Sequence, residues 1–367
     1  MKIDLIIPNL KYGGAEKVVI SLAQSLCDKG HITRLILREK MHDNNLIVKN
    51  DKVKISYLNA EKVRNFPFTL LKFYLNKSNR PHFIIANLFP LTFLTSVIVK
   101  IFYKEIKVIC VEHGSLKIQE KRNYYNKFLI RTYHLFCKQL VVVSNLLKKE
   151  ILDISFFNPK NIKVIYNPIE NHFSYNPDDT FLKQKRKNII NADHVFLGVG
   201  KLKKVKNFPL MIEAFTQTLK INPNIILIIV GDGEEQTKLN KLIKVNELED
   251  KVYLTGYKSN MGDYYSISDT LISSSNSEAF GNTIVEALHF NLNIISTNCF
   301  GPSEILKDQP SSLLCEINDS SDMSSKMLEI LTRNRPKKIN NSSLEKYNPT
   351  QIAIQYIDIM KKMTHNE

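Results

Sequence analysis

The sequence predicts an α/β protein made of two doubly wound parallel-sheet domains. Short β-branched or apolar runs alternate with helical stretches along nearly the whole chain. Several runs are apolar throughout, as strands buried on both faces of a parallel sheet must be. The alternation occurs twice, on either side of a polar, proline-containing segment. The length, 367 residues, suits two domains at roughly 100–200 residues each.

In the first series the strand-like runs are Lys2–Ile7, Ile32–Leu37, Val53–Leu58, His82–Ala86, Lys107–Val111, Leu140–Val143 and Lys163–Ile165. Helix-like stretches lie between them at Ala15–Lys29, Thr92–Tyr103, Asn123–Phe136 and Asn145–Leu152. The second series has strands at Val195–Val199, Ile225–Val230, Lys251–Leu254, Thr270–Ser273, Asn293–Ser296 and Ser312–Cys315. Its helices are expected at Asn207–Lys220, Glu234–Val245, Thr283–Phe290 and Ser321–Thr332. Two such series imply two Rossmann-like domains.

Asn167-Pro168 closes the first series. The polar stretch Asn171 to Asp179, with Pro177, leads into the charge run Lys183-Gln184-Lys185-Arg186-Lys187, which places a hinge near 171–188. The domains are accordingly expected at 1–178 and 187–348. Pro349 precedes a terminal helical stretch, Ile352 to Met363. A helix over about 350–367 has the first domain as one place to pack back.

Composition excludes several classes. With 43% hydrophobic and 24% charged residues and no low-complexity tract, the chain is neither disordered nor collagen-like. Five cysteines, an odd number without a C-x-x-C pair, read as reduced thiols of a cytosolic protein rather than a disulfide frame or metal site. Asp4 and Pro8 break the first apolar run too early for a signal peptide. The longest later apolar stretch, Leu88 to Lys100, contains Pro90 and falls short of the roughly 20 residues a spanning helix needs. A soluble or peripheral protein is expected.

The net charge of +15 is one-sided. Residues 1–170 carry 28 Lys and Arg against 13 Asp and Glu, while residues 171–367 carry 23 of each. A basic half attracts a polyanion: an anionic bilayer, a pyrophosphate-linked lipid or nucleic acid. A solvated lysine-rich surface is the plainer alternative.

In doubly wound folds ligands sit beyond the carboxyl ends of strands, so the residues that follow strands carry the information. Tyr12-Gly13-Gly14-Ala15-Glu16 opens a helix after the first strand, either to admit a phosphate or simply to turn. Glu112-His113-Gly114 ends another strand, where His113 could donate to a sugar or alkoxide or be satisfied by its neighbours. Gly200 to Asn207 puts Lys201, Lys203, Lys204 and Lys206 at a strand mouth, which suits a diphosphate or a plain surface cluster. Gly231-Asp232-Gly233-Glu234 is a turn, too acidic to cradle phosphate.

The strongest local signal runs from Ser277 to Ala287. Glu278 lies in a loop, Gly281-Asn282 begins a helix whose N–H groups can hold phosphate, and Glu286 sits roughly 6 Å further along at 1.5 Å per residue. Two carboxylates so spaced can accept hydroxyls on either side of a phosphate. Cys299-Phe300-Gly301-Pro302-Ser303-Glu304 follows the next strand with small residues. No D-x-D pair ends a strand, and no P-loop, H-E-x-x-H or G-x-S-x-G is present.

This ordered set resembles the retaining glycosyltransferases of family 4, whose GT-B fold sets two Rossmann-like domains facing across a cleft. The resemblance takes in Gly13-Gly14-Ala15-Glu16, His113, Val142-Val143-Ser144, Ile165-Tyr166-Asn167-Pro168, the Gly200–Asn207 loop, Gly231-Asp232-Gly233, Glu278 with Glu286, and Gly301-Pro302-Ser303-Glu304. It implies that Glu278 binds donor-sugar hydroxyls where the bond breaks and that Glu286 binds the ribose. Phe280, Gly281, Asn282 and Thr283 would hold sugar and diphosphate through backbone groups, and Lys206 the diphosphate. Lys201 stands where the family usually has arginine, which keeps the charge but loses the bidentate fork. Tyr257 would lie near the base, His113 against the donor sugar, and Gly14 near the diphosphate.

The resemblance further implies a hexose or N-acetylhexosamine donor linked to a nucleotide, UDP first, used without metal or other cofactor. Two first-half stretches bear on the acceptor. Glu61 to Arg80 mixes Lys62, Arg64, Lys72, Lys77 and Arg80 with Phe66, Phe68, Phe73 and Tyr74. Lys117 to Lys138 mixes Lys121, Arg122, Lys127 and Arg131 with Tyr124, Tyr125, Phe128, Tyr133 and Phe136. Basic and aromatic residues on helical stretches fit an anionic membrane surface, or else ordinary packing. The expectation is a cytoplasmic enzyme peripheral to the inner face of the membrane, acting on a polyprenyl-pyrophosphate-linked or other lipid-linked saccharide in O-antigen, capsule or lipopolysaccharide assembly. A GT-B sugar-nucleotide epimerase is the competing enzyme reading. A nucleic-acid binder is disfavoured because no recognisable RNA or DNA module accompanies the charge.

Overall fold

The computed structural model describes residues 1–11, 13–40, 51–120, 124–170, 173–176, 178–333 and 341–365. Tyr12, Lys121, Arg122, Asn123, Asn171 and Pro177, named above, lie outside the described residues. The chain divides into two compact units, Met1–Ile169 with Glu345–Glu367, and Glu170–Leu344.

The first unit runs β1 (Lys2–Ile7), α1 (Gly14–Asp28), β2 (Ile32–Leu37), β3 (Lys54–Tyr57), α2 (Phe66–Leu75), β4 (Phe83–Asn87), α3 (Leu91–Phe102), β5 (Lys107–Glu112), α4 (Leu116–Glu120), α5 (Tyr124–Phe136), β6 (Leu140–Val142), α6 (Asn145–Ile154) and β7 (Ile162–Val164). Its strands form one parallel sheet in the order β3-β2-β1-β4-β5-β6-β7 among the described residues. Side chains alternate across each strand, so β1 feeds two cores. Ile3, Leu5 and Ile7 pack with Val19, Ala23 and Leu26 of α1, while Ile6 packs with Phe66, Leu70 and Tyr74 of α2.

The second unit runs α7 (Thr180–Ile190), β8 (His194–Val199), α8 (Phe208–Leu219), β9 (Ile225–Val230), α9 (Gln236–Val245), β10 (Val252–Leu254), α10 (Met261–Ser266), β11 (Thr270–Ser273), α11 (Asn282–His289), β12 (Asn293–Thr297), α12 (Phe300–Leu306), β13 (Ser312–Cys315), α13 (Ser320–Leu331) and α14 (Asn341–Leu344). Its parallel sheet has the order β10-β9-β8-β11-β12-β13 among the described residues. All six residues of β9 are buried, as the run of isoleucines requires.

The chain ends in α15 (Pro349–His365), whose Ile352, Ala353, Tyr356 and Met360 join the core around α1. The expected hinge at 171–188 is not a loop throughout. Its charge run lies in α7, which starts because the Asp179 side chain accepts the Leu182 N–H at 3.0 Å. Among the described residues no helix is long and apolar enough to cross a membrane.

Candidate active site

In a doubly wound sheet the binding crevice opens where the strand order reverses. In the second unit the reversal falls between β8 and β11, which pair from Thr270↔Phe196 to Ile272↔Gly198. The loops leaving these two strands are laced together. Ser274 Oγ donates to the Lys206 carbonyl at 2.8 Å, and the Asn276 N–H donates to the Val205 carbonyl at 2.8 Å. Asn207, left-handed at φ 48°, closes the lysine loop and donates from Nδ2 to Asn276 Oδ1 at 3.0 Å.

This lacing brings the Lys206 ammonium onto the Glu278 carboxylate as an ion pair. The two side chains retain 27% and 21% of their exposure, so the pair is shielded more than a surface pair yet open to a ligand. Lys201, Lys203 and Lys204 are exposed. The four lysines therefore do not form one held cluster.

Backbone packing fixes the Glu278 loop from beneath. The Gly301 N–H donates to the Glu278 carbonyl at 2.9 Å. A Cβ on Gly301 would stand 2.1 Å from the Phe280 carbonyl oxygen, which no side chain tolerates. Phe280 is itself buried. Gly281 then takes φ 111° and opens α11, with no side chain capping the start. That helix end carries partial positive charge, with half-buried Asn282 and Thr283 at its tip.

Glu286 is half-buried on α11, and its Oε2 accepts the Tyr265 hydroxyl at 2.6 Å. Burial, and then the facing Glu286 carboxylate, hold the Tyr265 phenol well above its ordinary value, so it stays a donor. The loops after β8, β9 and β10 run side by side. The Gly200 N–H donates to the Val230 carbonyl at 3.0 Å, and the Gly231 N–H to the Gly256 carbonyl at 2.9 Å.

Half-buried Tyr257 follows Gly256 and precedes Lys258, whose Nζ pairs with Asp179 Oδ2 at 3.0 Å. The same carboxylate accepts Asn260 Nδ2 at 3.2 Å and the Tyr264 hydroxyl at 3.0 Å. Burial alone would raise the Asp179 carboxyl, but the Leu182 N–H, Lys258, Asn260 and Tyr264 together hold it below its usual value.

In the first unit the strand order reverses between β1 and β4. Gly14 begins α1 directly after β1, and Asn87 ends β4. Asn87 Nδ2 donates to the carbonyls of Ile6 and Ile85, both at 3.1 Å, which leaves Oδ1 to accept from His113 Nε2 at 2.9 Å. His113 thus carries its proton on Nε2, and Asn87 engages that donor. The donor role expected of His113 is not open through this nitrogen in the arrangement seen. Burial lowers His113 to about 4 against the opposing hydrogen bond of Asn167, so the ring is neutral at neutral pH.

Beside it, buried Glu112 accepts the Thr92 hydroxyl at 2.7 Å, the Phe89 N–H at 3.1 Å and the Tyr133 hydroxyl at 3.1 Å. Glu150 on α6 accepts Ser115 Oγ at 2.8 and 2.7 Å and the Lys117 N–H at 3.1 Å, tying the loop after His113 in place. The basic-aromatic stretches divide. Phe66, Tyr74 and Tyr133 are core, whereas Phe68, Tyr124, Tyr125 and Phe128 are exposed, Tyr124 at 92%.

Sequence reasoning missed Asn87, Glu112, Asp179 and Tyr265. Asn87 and Glu112 end strands and were findable by position, but the partners of Asp179 and Tyr265 come from other elements. Among the described residues no group of three or more His, Cys, Asp or Glu could hold a metal ion.

Comparison with known proteins bears on the fold and the family of the chain. The model for glycosyl transferases group 1 matches residues 179–347, and that for Glycosyltransferase Family 4 matches residues 12–173. Among solved structures, Anabaena HepE in complex with UDP and glucose covers 100% of this chain and 99% of its own, with a TM-score of 0.78 at 18% identity. An uncharacterized glycosyltransferase of Methanocaldococcus jannaschii is 29% identical over 281 residues, 74% of this chain and 68% of its own. The N-acetylgalactosamine-N,N'-diacetylbacillosaminyl-diphospho-undecaprenol 4-alpha-N-acetylgalactosaminyltransferase of Campylobacter jejuni is 24% identical over 344 residues, 88% of each chain.

Two parallel-sheet units of this order have the GT-B fold, and the family models that match them make the protein a glycosyltransferase, an enzyme that transfers hexosyl groups. More particularly, residues 179–347 belong to the glycosyl transferases group 1 and residues 12–173 to Glycosyltransferase Family 4.

Proposed function

We propose that this protein is a retaining glycosyltransferase. It moves a hexose or N-acetylhexosamine from a nucleotide-sugar, UDP-linked first among the candidates, to a lipid-linked saccharide in surface polysaccharide assembly. The observation that carries the reading is the Lys206–Glu278 pair at the strand-order reversal, one short loop ahead of the uncapped start of α11. The relatives add support: the Campylobacter enzyme is named for a diphospho-undecaprenol substrate, and the Anabaena structure contains UDP and glucose.

In this reading the diphosphate replaces Glu278 as the partner of Lys206 and lies against the α11 tip, with backbone groups of Phe280, Gly281, Asn282 and Thr283 around it. Lys201, exposed in the same loop as Lys206, would add charge without an arginine's fork. Released Glu278 takes donor-sugar hydroxyls, Glu286 takes the ribose, and Tyr257 lies near the base. In the first unit His113 and Gly14 are the candidates for donor contact, His113 through a group other than the Nε2 proton that Asn87 engages. The acceptor hydroxyl attacks the anomeric carbon on the face the diphosphate leaves, so configuration is retained. Its proton passes to a phosphate oxygen, and no separate base is needed. The cations and the helix end stabilise the departing charge, and no metal is required.

The acceptor assignment draws on α5, where Tyr124, Phe128, Arg131 and Leu135 form one exposed stripe at helical spacing. Such a stripe suits the interface of an anionic membrane at the inner face of the cell. Thermal stabilisation across UDP-, GDP-, ADP- and dTDP-sugars tests the donor assignment, because selective binding raises apparent stability with the logarithm of affinity. Stabilisation by one nucleotide class, UDP-sugars first, is expected. Absence of stabilisation by all four, or an epimer formed from the donor alone, overturns the reading.

A further inference from the structure

Two consecutive tyrosines on α10 each send a hydroxyl to a carboxylate of another element. Tyr264 donates to Asp179, ahead of α7, and Tyr265 donates to Glu286 on α11. Both rings are fully buried at 0% exposure, so neither can turn to meet a ligand. Tyr265 is further wedged by Phe173 at 5.8 Å and stacked on Phe290 at 5.2 Å between ring centroids. A phenol held this firmly fixes the rotamer of the carboxylate it bonds. Glu286 is half-buried and keeps its other oxygen, Oε1, for another partner.

We infer that Tyr265 is a positioning residue, which orients the Glu286 carboxylate so that its second oxygen meets the ribose hydroxyls of the nucleotide donor. The inference rests on the donor reading above, in which Glu286 takes the ribose. A carboxylate with one oxygen committed to a rigid donor has one orientation to offer, and ordering is not lost again when the nucleotide binds. Tyr264 is the internal comparison. It has the same residue type, burial and helix, but its hydroxyl serves the Asp179–Lys258 anchor instead of Glu286.

The test uses Tyr265→Phe, Tyr264→Phe and the wild type. Each is titrated calorimetrically with UDP, GDP and ADP and with the 2′-deoxy counterpart of each, and melting temperatures are recorded. The wild type is expected to prefer the ribonucleotide. Tyr265→Phe should weaken binding of the preferred ribonucleotide about tenfold, the scale of one hydrogen bond to a charged group, and bring the ribo-to-deoxy ratio toward one. Tyr264→Phe should lower the melting temperature with the ratio unchanged. A wild-type ratio retained by Tyr265→Phe, with or without a fall in melting temperature, overturns the inference and leaves the donor reading standing. A wild type that binds none of the nucleotides, or does not distinguish ribose from deoxyribose, overturns the ribose role of Glu286 and this inference with it.

Discussion

The Lys206 ammonium and the Glu278 carboxylate neutralise one another across 72 residues of sequence. Each side chain lies on a loop that leaves a strand next to the reversal of strand order, and the loops are joined by the Asn276 N–H to the Val205 carbonyl and the Ser274 hydroxyl to the Lys206 carbonyl. The pair keeps an otherwise uncompensated cation and anion satisfied; in the proposed function a ligand carrying both phosphate and hydroxyls separates them.

Replacement of either partner should therefore have different consequences. Glu278→Ala should leave the fold intact and lower the transfer rate by roughly 10²-fold or more, the loss expected when the group that orients the reacting sugar is removed. Lys206→Met weakens donor binding about tenfold or more through the lost charge-assisted contact. Single-turnover rates and calorimetric affinities separate the two effects, and full turnover by Glu278→Ala refutes its role.

Gly301→Ala tests how the Glu278 loop is supported. Its Cβ would meet the Phe280 backbone at 2.1 to 2.4 Å, so the main chain must move rather than a flexible side chain. Stability should fall by about 1–3 kcal/mol, as for an overpacked core site, with donor affinity falling alongside. Thermal unfolding with and without UDP reads both.

Glu112→Gln should change how stability depends on pH. Burial raises the Glu112 carboxyl from 4.5 to about 7, against the bonds from Thr92, Phe89 and Tyr133. Between these values the folded state holds more protons than the unfolded one, so this group makes stability fall as pH rises from 4.5 to about 7. Glutamine removes that slope. Relative to wild type, the variant should gain on the order of 2–3 kcal/mol across the window and no more above it. Denaturant midpoints at pH 5 and pH 8 measure the difference.

On α5, Tyr124→Ser with Phe128→Ser should release the protein from anionic vesicles while the core residues Leu129, Ile130 and Tyr133 keep the helix packed. Arg131→Glu should add to the loss, each basic group near anionic lipid being worth about 1 kcal/mol, or roughly fivefold. Sedimentation at low and high salt gives the comparison with neutral vesicles. Wild-type protein that binds neither vesicle removes the membrane assignment.

Chelation with EDTA followed by desalting should leave the transfer rate unchanged, since lysines and a helix end are assigned to the leaving diphosphate. A loss restored by Mg²⁺ or Mn²⁺ would contradict that assignment.

The strands were legible in the sequence because parallel strands covered on both faces need unbroken apolar runs. β9 is the plainest case, and the bounds of β1, β2, β9, β11 and β13 coincide with the expected β-branched or apolar runs even where Asp4 interrupts β1 and Arg34 interrupts β2. Helix α7 was not legible: Ile189 is its buried residue, and its start depends on the Asp179 cap, so the charge run reads as solvated loop. Six-residue α10 is too short to show a helical period. The placement of Glu278 in a loop and of Gly281 and Glu286 at and within a helix was legible because they follow an apolar strand in that order. Tyr265 could not, because its meaning comes from a carboxylate on another helix, and the Asn87 bond that engages His113 Nε2 is likewise set by neighbouring strands.

The most direct test is a crystal structure of the protein with an intact UDP-sugar. The diphosphate is expected within hydrogen-bonding distance of Lys206 Nζ and the first turn of α11, the sugar on Glu278 and the ribose on Glu286. A nucleotide bound away from the carboxyl ends of β8 and β11, with the Lys206–Glu278 pair intact, would contradict it.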